Sequence, residues 1–171
     1  MNRLFGKVLL RALALVILVA LVAWAASFLG VYNVAADDPH WPIVKNFLGS
    51  TMDHSVAARD GDIVVPDLKD AKMIAAGAAE YDSMCTACHL SPGLEENKLR
   101  AGLYPKPPSF ARRRWPGNPK EQFWIIKHGI KMSAMPAWGK TLEDADIWDL
   151  VSFIRKMPDM SAENYLQFSA P

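Results

Sequence analysis

Cys85-Thr86-Ala87-Cys88-His89 places two thiols three positions apart and an imidazole directly after the second. That pattern reads as a c-type haem attachment site. Each thiol can add to one haem vinyl group, so the two must sit about one helical turn apart and face the same way. The adjacent imidazole then lies under the iron as proximal ligand. A redox-active dithiol or half of a zinc site shares part of the pattern. A zinc site needs further Cys or His ligands, yet these are the only cysteines, and the other three histidines lie far off in sequence. A thioredoxin-like pair needs a surrounding βαβ pattern, and none is visible.

Upstream, Lys69 to Met84 has helical periodicity, with Ile74, Gly77, Ala78, Tyr81 and Met84 on one face. Gly77 weakens a helix by about 1 kcal/mol relative to Ala, which predicts a close crossing by another element. Downstream, Leu90 to Asn118 has no clear period and is rich in Pro and Arg. A loop that long in a compact domain is normally functional, and wrapping a flat cofactor is a natural use. Pro107 and Pro108 offer carbonyls that no helix consumes, and one of them is a candidate acceptor for the His89 ring N–H. Arg112, Arg113, Arg114 and Trp115 are candidates to meet the haem propionates through guanidinium forks and an indole N–H. A solvated basic turn is the competing reading of the same run.

Asn118-Pro119-Lys120-Glu121 is a helix start, and Gly129 a helix stop. Between that helix and the next lies Met132-Ser133-Ala134-Met135-Pro136-Ala137-Trp138-Gly139. A thioether is a soft, neutral ligand that suits haem iron opposite His. Methionines are more often core filler, so location has to choose. Met135 is preferred because Pro136 fixes the chain immediately after it, with Met132 the alternative. Thr141-Leu142-Glu143-Asp144 opens the last main helix with a capping-box-like start at Thr141; its buried face is Ile147, Trp148, Leu150, Val151, Phe153 and Ile154, and Pro158 stops it. Ser161 to Phe168 forms a further short helix.

The N-terminal end has a different character. Arg3, Lys7 and Arg11 precede an almost unbroken apolar run from Ala12 to Val31. Twenty helical residues span about 30 Å, the thickness of the bilayer hydrocarbon. The basic flank belongs on the cytoplasmic side, which sends the remainder to the far side of the membrane. A cleaved signal peptide is the competing reading, but its apolar core normally runs only about 7–15 residues. Residues 1–32 are therefore expected to be a retained anchor. Residues 33–69 are expected to be a connector with a short amphipathic helix starting at Pro42, and 70–171 the haem domain. His40 and His54 in the connector read as surface residues.

The formal net charge is +1. Removing the three N-terminal cations leaves about −2 for the rest, so no basic field points to nucleic acid. No phosphate-cradling glycine loop, Ser-His-Asp signature or solenoid repeat is present.

Residues from about Asp70 to Pro158 resemble a class I c-type cytochrome. The offsets of Gly77 and Tyr81 from Cys85, the Leu150-Val151-Ser152-Phe153 run, Met135-Pro136-Ala137-Trp138-Gly139 and Pro108-Ser109-Phe110 carry the resemblance. It implies an all-α fold, three to four helices around one covalently bound haem, preceded here by a transmembrane helix. Phe153 would pack near Gly77, the Pro108 carbonyl would bind His89, and Trp138 would sit in the distal loop beside Met135. The loop between His89 and Pro108 is longer than the family's usual one. The function this implies is single-electron transfer by a carrier, not an enzyme, through a six-coordinate haem c ligated by His89 and Met135. No small-molecule substrate is implied, and the partners would be the membrane and a dehydrogenase or oxidase. The place would be the bacterial inner membrane, with the haem domain in the periplasm. A haem enzyme or gas sensor with an open sixth position is the alternative, and a haem-free thiol oxidoreductase a third.

Overall fold

The computed structural model describes residues 3–112, 115 and 117–169. It is all-helical, with no strand among the described residues. The chain divides into two units, Met1–Asp38 and Pro39–Pro171.

The first unit is essentially one helix, α1 (Arg3–Phe28). Its 26 residues reach about 39 Å at 1.5 Å each, more than a bilayer's hydrocarbon. Leu4, Leu10, Val16, Val22 and Phe28 are all exposed. A helix that is apolar all round needs an apolar solvent, not one packing partner. It is long and apolar enough to cross a membrane.

The second unit holds the remaining helices. These are α2 (Pro42–Ala57), α3 (Ala71–Met84), α4 (Thr86–His89), α5 (Lys98–Ala101), α6 (Pro119–His128), α7 (Asp144–Lys156) and α8 (Ala162–Ser169). Pro42 takes the first turn of α2, where its missing N–H leaves nothing unsatisfied. The stretch expected to be a connector is packed into this unit from Pro39 onward. Val56 is buried, Asn118 Nδ2 donates to the buried Asp60 carboxylate at 3.2 Å, and Lys120 Nζ donates to the Gly61 carbonyl at 2.8 Å. Those ties clip α2 and its exit to the start of α6.

The centre of the unit is the crossing of α3 and α7. Asp70 caps α3, its carboxylate accepting the Lys72 N–H at 2.8 Å. Gly77 is where the two backbones touch, and a Cβ there would collide with the Asp149 carbonyl. The contact over Gly77 is thus the α7 backbone at Asp149–Leu150. Phe153, expected near Gly77, stands one turn further along against Tyr81, with ring centroids 5.5 Å apart. Tyr81, Ile147, Leu150, Val151 and Phe153 form a fully buried core here.

The start of α7 also differs from expectation. Glu143 caps the helix, and the Asp146 carboxylate accepts the Glu143 N–H at 3.0 Å. Thr141 instead closes the 3-10 turn Trp138–Lys140, its N–H donating to Trp138 O at 2.9 Å. That turn already commits the Thr141 backbone, so the cap falls two residues later. At the other end, Tyr165 of α8 donates its hydroxyl to Asp82 of α3 at 2.7 Å.

Candidate haem-binding site

α3 runs directly into the pentapeptide. The Cys85 N–H still bonds back to Tyr81 O at 2.9 Å, and His89 N to Cys85 O at 2.8 Å, so both cysteines and His89 sit on helical turns. The helix must then end at once. Leu90 has φ +64, the left-handed region that a bulky residue rarely adopts, and is wholly buried. Its carbonyl accepts the Tyr81 hydroxyl at 2.7 Å. Burial raises the Tyr81 pKa, with smaller contributions from Cys85 and Tyr165, so the hydroxyl keeps the proton it donates. The sharp turn that frees His89 is thus held from α3 itself.

His89 Nδ1 lies 2.9 Å from the Pro108 carbonyl. A carbonyl only accepts, so Nδ1 carries the hydrogen and Nε2 keeps its lone pair. Burial pushes the His89 pKa down, the Pro108 hydrogen bond opposes this, and Arg100 adds to the lowering. The neutral imidazole is the ligating form. Phe110 stacks on the ring at 4.6 Å, 10° from parallel. Burial, with Glu80 and Cys88 adding, pushes the Cys85 thiol up to about 12.

The second loop is shaped around Met135. Gly129 ends α6 at φ +66 and lets the chain fold back so closely that a Cβ would lie 2.6 Å from Pro136 C. The Ile130 N–H donates to Met135 O at 3.2 Å, and the Met135 N–H to Ser133 Oγ at 3.1 Å. Met132, at the tip of this turn, has φ +57 and is fully exposed.

These loops enclose one cavity of about 450 Å³, within the range of cofactor clefts. Cys85, Cys88, His89 and Met135 all line it, as do Pro108, Trp115 and Trp138. The floor is apolar, made by Ile125, Ile126, Leu150 and Ile154. Two thiols, a neutral imidazole and a thioether on the wall of one apolar slot fit a haem bound edge-in. They do not fit a bare metal ion, and no cluster of three or more His, Cys, Asp or Glu is found among the described residues.

Arg112 does not line the cavity. It is exposed, and its guanidinium donates to the Glu95 carbonyl at 2.9 Å. Arg113 and Arg114 lie outside the described residues. Met132 is not on the wall either. His40 stands edge-on to Tyr104 and His54 is exposed, both away from the cavity.

Among the wall residues that sequence reasoning missed are Met52 and Gln122. Met52 of α2 lines the cavity from the connector, and its place among apolar helix positions gave no hint of that. Gln122 of α6 also lines it and is 2% exposed. A polar residue one position before the Phe123–Ile126 apolar run was the available signal.

Comparison with known proteins finds no match among curated proteins or solved structures. Residues 72–154 match a family model described as cytochrome C oxidase, cbb3-type, subunit III. That span holds α3, the pentapeptide, the Met135 loop and nearly all of α7. With the Cys-x-x-Cys-His motif, the apolar cavity and this match in hand, the chain carries a c-type cytochrome domain over residues 72–154 and an N-terminal helix apolar enough to cross a membrane.

Proposed function

We propose that this protein is a membrane-tethered, one-haem electron carrier whose iron is held between His89 and Met135. The observation that carries the proposal is the gathering of Cys85, Cys88, His89 and Met135 on one cavity wall. Cys85 and Cys88 would each add S–H across a vinyl group. The sulfur bonds one vinyl carbon and the thiol hydrogen goes to the other, so attachment requires no oxidant. His89 offers Nε2, oriented by the Pro108 carbonyl, and Met135 offers a neutral sulfur from a loop pinned at Gly129 and Ser133. When bound, the haem supplies a one-electron change between ferric and ferrous iron. The apolar floor excludes water, and with the thioether it favours the less charged, reduced state.

With His89 and Met135 both holding the haem, no place would remain for a substrate, which would make this a carrier and not an enzyme. The haem domain would lie on the outer, periplasmic face, since the basic end of α1 belongs inside. The matched family's description names an oxidase subunit, which favours an oxidase complex over a dehydrogenase as partner. Tethering raises the effective concentration of the domain at such a complex.

Two measurements on the detergent-solubilised protein test this. Haem staining should survive denaturing electrophoresis in the wild type and vanish in the Cys85→Ala/Cys88→Ala variant. The reduced wild type should refuse carbon monoxide, while Met135→Ala should bind it readily and Met132→Ala should not. Ready binding by the wild type would reject the closed carrier in favour of a haem enzyme or gas sensor.

A further inference from the structure

The Gln122 side chain has one end tied and one end free. Arg155 Nη1 of α7 donates to Gln122 Oε1 at 3.1 Å and to the Gly117 carbonyl at 3.2 Å. A guanidinium only donates, so the carboxamide has to turn its oxygen to Arg155 and its NH2 elsewhere. That nitrogen is buried and has no acceptor. Among the described residues, four buried side-chain atoms lack a partner: Arg100 Nε, Ser109 Oγ, Gln122 Nε2 and Ser152 Oγ. Of these, only Gln122 belongs to a residue on the cavity wall. Its neighbours there, Ile125, Ile126 and Ile154, have no side-chain acceptor to offer.

A buried donor is rarely left unsatisfied in a folded protein, so the acceptor should come from whatever fills the cavity. The hydrogen-bond acceptors on a haem's periphery are its two propionate carboxylates. We propose that Gln122 donates an N–H to a haem propionate within the cavity, with Arg155 as the positioning residue behind it. Arg155 fixes which way the amide faces and sets a positive charge two hydrogen bonds away from the carboxylate. This assigns the buried carboxylate's anchor to α6 and α7, not to Arg112. It rests on the haem reading above. Among the described residues, other charged groups in this neighbourhood are Lys106, elsewhere on the cavity wall and paired with Glu96, and Glu121 and Asp60, which both accept from the Asn118 amide, at 3.3 and 3.2 Å. None is altered by the variants below.

A hydrogen bond to the ionised form lowers a carboxyl's pKa, and its loss raises it. A propionate makes the midpoint potential of its haem fall with pH between its pKa values in the oxidised and reduced states. Gln122→Leu removes the donor. Gln122→Glu keeps the size and shape but sets a second carboxyl beside the first. Both should move that pH window upward by about one unit, a tenfold change in proton affinity. In the ferrous wild-type holoprotein, the Gln122 side-chain amide protons should exchange slowly with solvent and shift with the same titration by NMR. Variants that load haem yet keep the wild-type window overturn the proposal. A fast-exchanging, pH-insensitive Gln122 amide overturns it without any variant. A wild-type chain that takes up no haem overturns the haem reading itself, a result distinguishable from either.

Discussion

Tyr81 and Leu90 show how one side-chain hydrogen bond can govern a site. Leu90 sits in a backbone region that costs a non-glycine residue on the order of 1–3 kcal/mol, and it does so immediately after His89. The Tyr81 hydroxyl on its carbonyl, buried with it, secures that conformation. Tyr81→Phe keeps the ring against Phe153 but leaves a buried carbonyl unpaired. It should lower the unfolding free energy by about 1–3 kcal/mol, read from the denaturant midpoint of the holoprotein. An unchanged midpoint would mean that Leu90 is held by packing alone. At this scale the pentapeptide was legible because covalent chemistry dictates it. The Tyr81–Leu90 bond was not, because its partners are nine residues apart with nothing in either residue type to pair them. Gln122 was illegible for the same reason, since its significance comes from Arg155 on another helix.

Among the elements, α3 and α7 carry the fold, and their contact brings like charges together. Burial raises the Asp149 pKa, and Asp146, Asp70 and Glu80 add to it in that order. A carboxyl whose folded pKa lies above its unfolded value holds its proton more tightly in the folded state. Stability therefore falls as pH rises through the interval from the ordinary carboxylate range to the raised value, and stays lower above it. Asp149→Asn removes that penalty. The variant should melt at a higher temperature than the parent at pH 7, and the gap should close below about pH 3, where the aspartate is protonated in both states. A gap that persists at low pH would assign the gain to packing. Both ends of α6 were readable, since Asn118-Pro119 and Gly129 act where local chemistry puts them, whereas α3 was expected from Lys69 and its cap at Asp70 went unread. The cap of α7 was misplaced by two residues, because the 3-10 turn at Trp138–Lys140 has no strong local signature and takes Thr141 for itself.

For the whole molecule, the division at Asp38 and Pro39 separates a segment that needs lipid from a unit with its own buried core. Residues 39–171, exported behind a cleavable leader, should therefore accumulate as a soluble protein that stains for haem and has the spectrum of the solubilised full chain. Shortening the fragment to begin at residue 70 should weaken it, because that removes Met52 from the cavity wall, the buried Val56 and the tie of Asp60 to the start of α6. Equal stability of the two fragments would show that α2 adds nothing to the unit. By itself, the sequence determined the c-type cytochrome domain, the helical class and the apolar N-terminal helix. Each depends on residues adjacent or one turn apart, where covalent spacing and helical period act. Only the tertiary structure decided that Met135 and not Met132 reaches the cavity, that the Pro108 carbonyl meets His89, and that α2 closes one wall. It also set Arg112 facing away while Gln122 lines the slot. Those outcomes depend on how distant segments meet around a shared apolar space, which no local pattern encodes.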